Sequence, residues 1–155
     1  VGISLPDIAN GLMAFQGVAG RLSFLSGKNH SLIIDDTYNA NLRSVLTAVD
    51  VLAKRQGHRI LVLGDMGELG EWTREHHEEI GRIARSQGID LLLSCGKHSQ
   101  FSSLAFGDKA KHYETQQQLI SELLIWLNKD TTVLVKGSRS AAMEKIVQEL
   151  LSEIV

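Results

Sequence analysis

Residues Leu32–Ala53 read LIIDDTYNANLRSVLTAVDVLA. The first three, Leu32-Ile33-Ile34, form an unbroken apolar run too short for a helix, which suits a strand covered on both faces. A polar stretch, Asp35–Asn41, follows. Then Leu42, Val45, Leu46, Val49, Leu52 and Ala53 recur at helical spacing. The same order of strand, polar loop and helix repeats along the chain. Further short apolar runs stand at Ile60–Leu63, Leu91–Leu93 and Val133–Val135. Helical stripes run through Trp72, His76, Ile80, Ile83 and Ala84, through Ile120, Leu123, Leu124 and Leu127, and through Met143, Ile146, Val147, Leu150, Leu151 and Ile154. Gly57 and Gly88 fall just past helices, where a left-handed cap is expected. Arg21–Leu25 and Ala110–Tyr113 read as extra edge strands. The alternation predicts an α/β fold, a doubly wound, mostly parallel sheet with helices on both faces.

The chain has 155 residues, 43% of them apolar, which suits one domain with a real core and excludes disorder as the main state. Sixteen Lys and Arg against eighteen Asp and Glu leave a net charge of −2, which disfavours a basic nucleic-acid surface. A single cysteine, Cys95, excludes an internal disulfide framework and a zinc site of several cysteines. No apolar run approaches the roughly 20 residues of a membrane span, and no signal peptide is read, so a reducing, cytoplasmic compartment is the default expectation.

The chain opens on Val-Gly without a methionine and reads as a piece of something longer. Pro6 suits the first turn of a short helix through about Phe15. Gly17-Val18-Ala19-Gly20 reads as a hinge, with residues 1–16 the tail of a preceding domain and 17–155 the domain proper.

In sheets of this kind ligands bind outside the carboxyl ends of the strands. Four loops are therefore candidates. Asp35–Asn41 is dense in carboxylates and amides that suit ribose hydroxyls or a hydrated metal, although Asn41 also fits as the cap of the helix beginning at Leu42. Gly64–Gly70 carries Asp65 and Glu68. It lacks the G-x-G-x-x-G pattern, and its acids suit an ammonium group better than a phosphate. Ser94–His98 is the third loop. Lys136-Gly137-Ser138-Arg139-Ser140 gathers two cations and two hydroxyls where the last helix is expected to begin, a setting for a carboxylate or phosphate, unless Ser138 or Ser140 serves only as a cap. Packing suits His76 and His77 better than catalysis, and Cys95 reads as a small core residue. Gly27-Lys28-Asn29 ends like a P-loop, but Leu22 replaces the first glycine and Asn29 the hydroxyl residue, so no phosphate loop is present.

Arg21, Asp35–Asn41, Leu63–Gly70, His77 four residues before Gly81, and Val135–Ser140 together resemble the C-terminal domain of the Mur ligases. Within that family the likeness is to the branch that joins D-alanyl-D-alanine to UDP-N-acetylmuramoyl-tripeptide. The combination of D-D-x-Y-N-A-N, G-D-M-x-E-L-G and K-G-S-R-S carries it, from about Ile3 to the end. The resemblance implies a Rossmann-like lid that closes on a central ATPase domain, beyond an N-terminal domain for the UDP-sugar. It implies ATP-dependent amide formation through an acyl phosphate, in peptidoglycan synthesis, with Mg2+ bound mainly by the central domain and no metal held here. Arg21 would act catalytically on the ATP phosphates as the lid closes, and Asp36, Asn39 and Asn41 would lie beside the nucleotide. For the dipeptide the charges suggest Asp65 or Glu68 near its amine and Lys136, Ser138 or Arg139 near its carboxylate. The piece alone should not turn over.

One departure is Leu42, where the family pattern has proline; at a first helical position leucine should cost little. Three other readings compete. A phosphoacceptor receiver domain would use Asp35-Asp36, Asp65, Ser94 and Lys136, although Asp65 follows the very next strand directly, with no additional strand between, and glycine rather than proline follows Lys136. A folylpolyglutamate-type ligase and a stand-alone dinucleotide binder are the others.

Overall fold

Six strands form a single sheet in the computed structural model, which describes residues 18–153. They are β1 (Ser23–Ser26), β2 (Leu32–Asp36), β3 (His58–Leu63), β4 (Leu91–Cys95), β5 (Ala110–Tyr113) and β6 (Thr131–Lys136). Their order across the sheet is β1-β2-β6-β3-β4-β5. Only β1 is antiparallel to its neighbour; every other pairing is parallel. The expected Arg21–Leu25 edge strand thus starts two residues later, at Ser23. The short helix expected from Pro6 to Phe15 lies outside the described residues, as do Gly17 and Ile154.

Five α-helices stand among the described residues: α1 (Leu42–Ala53), α2 (Thr73–Ser86), α3 (Gln100–Phe106), α4 (Gln116–Trp126) and α5 (Glu144–Leu150). None is long and apolar enough to cross a membrane. Successive strand residues point to opposite faces, so two cores form. Ile33, Ile60, Val62, Leu93, Val133 and Val135 pack under α4 and α5, through Leu119, Leu123, Ile146 and Val147. Ile34, Leu61, Leu63, Leu92 and Leu134 pack under α1–α3, through Val45, Val49, Leu52, Ile80 and Phe106. This two-sided burial explains the unbroken apolar runs and bears out the doubly wound expectation. Gly57 and Gly88, both with φ of +79°, take the left-handed cap conformation expected of them.

Three elements differ from the periodicity. The α2 stripe runs one residue off: its buried face is His77, Ile80, Gly81 and Ala84, while Trp72 is half exposed. The last helix ends at Leu150 rather than running three turns. Leu151 turns extended and bridges Gly27, and the Ser152 N–H donates to the Ser26 carbonyl at 3.2 Å, so the end of β1 draws the chain out of its helix. Helix α3 was not signalled, because seven residues leave too short a stripe to read.

The placing of β6 matters most. It is last in sequence but lies between β2 and β3, in register from Asp36↔Lys136 to Leu63↔Lys136. The loop after β6 therefore emerges between the two acidic loops.

Candidate functional site

All four candidate loops leave the same end of the sheet, and hydrogen bonds join them. The Gly64 N–H donates to the Lys136 carbonyl, and the Ser138 N–H donates to the Asp65 carbonyl, both at 2.8 Å. Gly137 passes so close that a Cβ there would stand 3.2 Å from the Gly64 Cα. Asp65 Oδ2 accepts the Lys97 N–H at 2.9 Å, while Oδ1 accepts those of His98 and Ser99 at 2.9 and 2.7 Å. A cavity of about 250 Å³ opens among Asp65, Cys95, Gly96, Gln116, Ser140 and Ala141.

At the end of β2, Asp35 is buried, and its Oδ1 accepts the N–H of Thr37 at 3.1 Å and its hydroxyl at 2.6 Å, a local turn. Asp36 faces the neighbouring strand. Its Oδ2 meets Lys136 Nζ at 2.7 Å, and its Oδ1 accepts the Leu22 N–H at 3.0 Å. Lys136 Nζ also donates to the Asn39 carbonyl at 2.9 Å. Asn39 and Asn41 are exposed. Asn41 Oδ1 accepts the Ser44 N–H at 2.9 Å and Ser44 Oγ accepts the Asn41 N–H at 3.1 Å, a reciprocal cap on α1. Arg21 is exposed, its guanidinium carbon 4.2 Å from the centre of the Tyr38 ring. It forms no ion pair among the described residues.

Several sequence expectations change. Lys136 is not free for a dipeptide carboxylate: its ammonium is buried and already faces oxygens. Asp65 is not a free acid for an amine, since three N–H groups surround its carboxylate. Glu68, exposed and left-handed at φ +57°, is the acid of that loop left open. The anion setting expected at the start of the last helix is also absent. Residues Arg139–Ala141 form a separate 3₁₀ turn with no side-chain cap, Ala142 is left-handed, and α5 begins only at Glu144. Ser138 is buried, its Oγ 3.1 Å from Ser140 Oγ. Arg139 remains largely exposed, 3.5 Å from Glu144.

His77, for which the sequence suggests packing, also takes part in a hydrogen-bonded network. It is fully buried; Nε2 accepts the Met66 N–H at 3.1 Å, and Nδ1 lies 2.6 Å from the Thr73 carbonyl. The carbonyl fixes the proton on Nδ1. Burial pulls the His77 pKa below its ordinary value, against the Thr73 carbonyl and the Asp65 charge. Cys95 is buried in the core as expected, and burial raises its thiol pKa, which keeps it protonated. Tyr38, the tyrosine of the D-D-x-Y-N-A-N motif, carries no role in the sequence reading beyond that motif, and in the structure it is the platform for Arg21. Among the described residues no three His, Cys, Asp or Glu side chains gather as a cation site.

Residues 20–139 match the family described as Mur ligase, glutamate ligase domain. The chain belongs to the Mur ligase family, as its C-terminal domain. Over 152 residues this Mur ligase domain is 44% identical to the UDP-N-acetylmuramoyl-tripeptide–D-alanyl-D-alanine ligase of Escherichia coli (strain K12), covering 97% of the chain and 33% of that protein. Its structure resembles that of MurF from Acinetobacter baumannii, with a TM-score of 0.79 and 35% identity over 96% of this chain and 33% of that one. The MurF ligase from Thermotoga maritima, solved in complex with ADP, gives the same TM-score at 26% identity. The domain spans about a third of the length of the relatives it matches. Family membership sets aside the receiver and dinucleotide-binder readings, and the three N–H groups around Asp65 leave no room for the first of them.

Proposed function

We propose that this Mur ligase domain is the substrate-binding lid of a longer ATP-dependent ligase. That enzyme joins D-alanyl-D-alanine to UDP-N-acetylmuramoyl-tripeptide in peptidoglycan precursor synthesis. In this reaction the tripeptide carboxylate takes the γ-phosphoryl group of ATP, giving an acyl phosphate and ADP. The dipeptide amine then attacks the acyl carbon, loses a proton, and phosphate leaves. Mg2+, which the residues described here would not hold, would neutralise phosphate charge when bound elsewhere in the longer enzyme. The lid supplies contacts and excludes water.

One observation carries this reading: a single end of the sheet presents Arg21, which has no ion pair among the described residues, together with the exposed amides of Asn39 and Asn41, the exposed acid Glu68 and the exposed cation Arg139. Arg21, with no ion pair among the described residues, suits the ATP phosphates. Asn39, Asn41 and the edge of Asp36 would line the ribose side. Glu68 suits the dipeptide amine, with Asp65 shaping the neighbouring loop, and the exposed Arg139 suits its carboxylate, next in the chain to Ser140 at the rim of the small cavity.

The test uses the full-length enzyme, with ADP release and peptide product measured against ATP, tripeptide and D-alanyl-D-alanine. Arg139→Ala should raise the dipeptide KM about tenfold or more, the loss of one charge-assisted contact, and move the ATP KM by less than about twofold. Equal effects on both substrates would refute the assignment of Arg139. No D-alanyl-D-alanine transfer by the wild type would refute the function.

A further inference from the structure

Lys136 brings an ammonium group into the end of the sheet with only 2% of its side chain exposed. Such burial is costly unless oxygens replace the lost water. Here Asp36 Oδ2 lies at 2.7 Å, the Asn39 carbonyl at 2.9 Å and the Asp36 carbonyl at 3.5 Å. A buried ion pair is weak grounds for stability, because apolar residues of the same volume often do as well. What this pair organises lies on the far side of Asp36.

The other carboxylate oxygen of Asp36 accepts the Leu22 N–H at 3.0 Å, the amide of the peptide bond that links Arg21 to Leu22. Leu22 has φ of +51°, a left-handed conformation that its side chain disfavours and that this bond helps to hold. The same loop grips Arg21 twice more. The Tyr38 N–H donates to the Gly20 carbonyl at 2.8 Å, and the Tyr38 ring lies under the guanidinium. Lys136 thus pins both halves of the grip, Asp36 directly and the Tyr38 segment through the next carbonyl, at Asn39. A single point charge meets three converging oxygens, a task the planar fork of arginine would not match.

We propose that Lys136 is the positioning residue for Arg21. Through Asp36 and the Asn39 carbonyl it holds residues 20–22 in the strained conformation that aims the Arg21 guanidinium outward, toward the ATP phosphates. The proposal rests on the ligase reading above for what Arg21 meets, but the clamp itself stands on the contacts within this domain.

The experiment compares Lys136→Met, Arg21→Ala and the double variant in the full-length enzyme. Lys136→Met should lower kcat/KM for ATP about tenfold or more while the dipeptide KM stays within about twofold. In the Arg21→Ala background the same change should cost several-fold less than it does alone, because Arg21 is no longer there to be positioned and only the Asp36 and Asn39 contacts are left to lose. A raised dipeptide KM with unchanged ATP kinetics would make Lys136 a dipeptide ligand, and full multiplicative losses in the double variant would make it independent of Arg21; either result overturns the proposal. If Lys136→Met does not fold, with Asp36 left unpaired, Lys136→Arg keeps the charge beside Asp36 but not the point geometry and carries the same expectation. Hydrogen exchange gives a readout apart from activity. The Leu22 amide should exchange about tenfold faster in the variants while the β6 amides of Val133–Val135 keep their protection. Unchanged Leu22 exchange overturns the clamp. Faster exchange in an enzyme that does not transfer D-alanyl-D-alanine would support the clamp and refute the ligase reading instead.

Discussion

The imidazole of His77 accepts the backbone N–H of Met66 at 3.1 Å, so a helix interior holds the centre of the Gly64–Gly70 loop. The bond exists only while Nε2 carries a lone pair. The fully buried ring resists protonation, and burial is the largest cause of its lowered pKa.

That relationship fixes a pH dependence. In the unfolded chain the imidazole takes a proton as pH falls below about 6.5, whereas the folded pKa lies lower. The stabilisation is therefore complete above that value and is lost as pH falls from it toward the folded pKa. His112, also lowered by burial, acts in the same direction. Denaturant unfolding between about pH 5 and pH 8 should show stability rising with pH, and His77→Gln should flatten that slope. An identical slope in the variant would refute the role given to His77.

Gly96 sits beside the Asp65 carboxylate with φ of +136°, and a Cβ there would collide with it. The carboxylate cannot yield without releasing the Lys97, His98 and Ser99 amides. Gly96→Ala should cost about 2 kcal/mol or more. Gly70→Ala, also at positive φ but with nothing within 4 Å, should cost only about 1 kcal/mol. Thermal unfolding of the two variants checks the order, and equal losses would contradict the packing argument.

Asn41 carries two expectations that substitution separates. Asn41→Ala removes the α1 cap and should cost about 1 kcal/mol of stability. Asn41→Ser keeps a capping oxygen but loses the amide donors. A raised ATP KM in the serine variant of the full-length enzyme would show contact with nucleotide. An unaltered KM would reduce Asn41 to a helix cap.

Leu42, at the first position of α1, stands where the family pattern has proline. Asn41 before it is extended (φ −129°, ψ 168°), a conformation proline permits in its predecessor. Leu42→Pro should change stability by less than about 1 kcal/mol, since the lost N–H belongs to the unpaired first turn. A loss of about 3 kcal/mol or more, the cost of proline in a helix interior, would show that the helix begins earlier.

Much of the fold was legible because burial on both faces leaves a mark in one dimension. The runs at Ile33-Ile34 and Val133–Val135 had to be strands under cover, and the Leu42–Ala53 stripe had to be a helix against them. The mark failed where an element was short, as in α3. It failed also where a polar group took a buried position, as His77 did in α2, and where a distant backbone competed, as Ser26 does for the end of α5.

From its own order of residues the chain determined a wound α/β sheet, four loops at the carboxyl ends of its strands, and the motifs that place it among the Mur ligases. Only the folded molecule decided which charges are free. Asp65 and Lys136 look as available as Glu68 and Arg139 when read along the chain. The insertion of β6 between β2 and β3 brings Lys136 against Asp36, a hundred residues away, and the approach of the β4 loop surrounds Asp65 with N–H donors. A charge's availability depends on which oxygens or amides reach it through space, and strand order, which local periodicity does not encode, sets that.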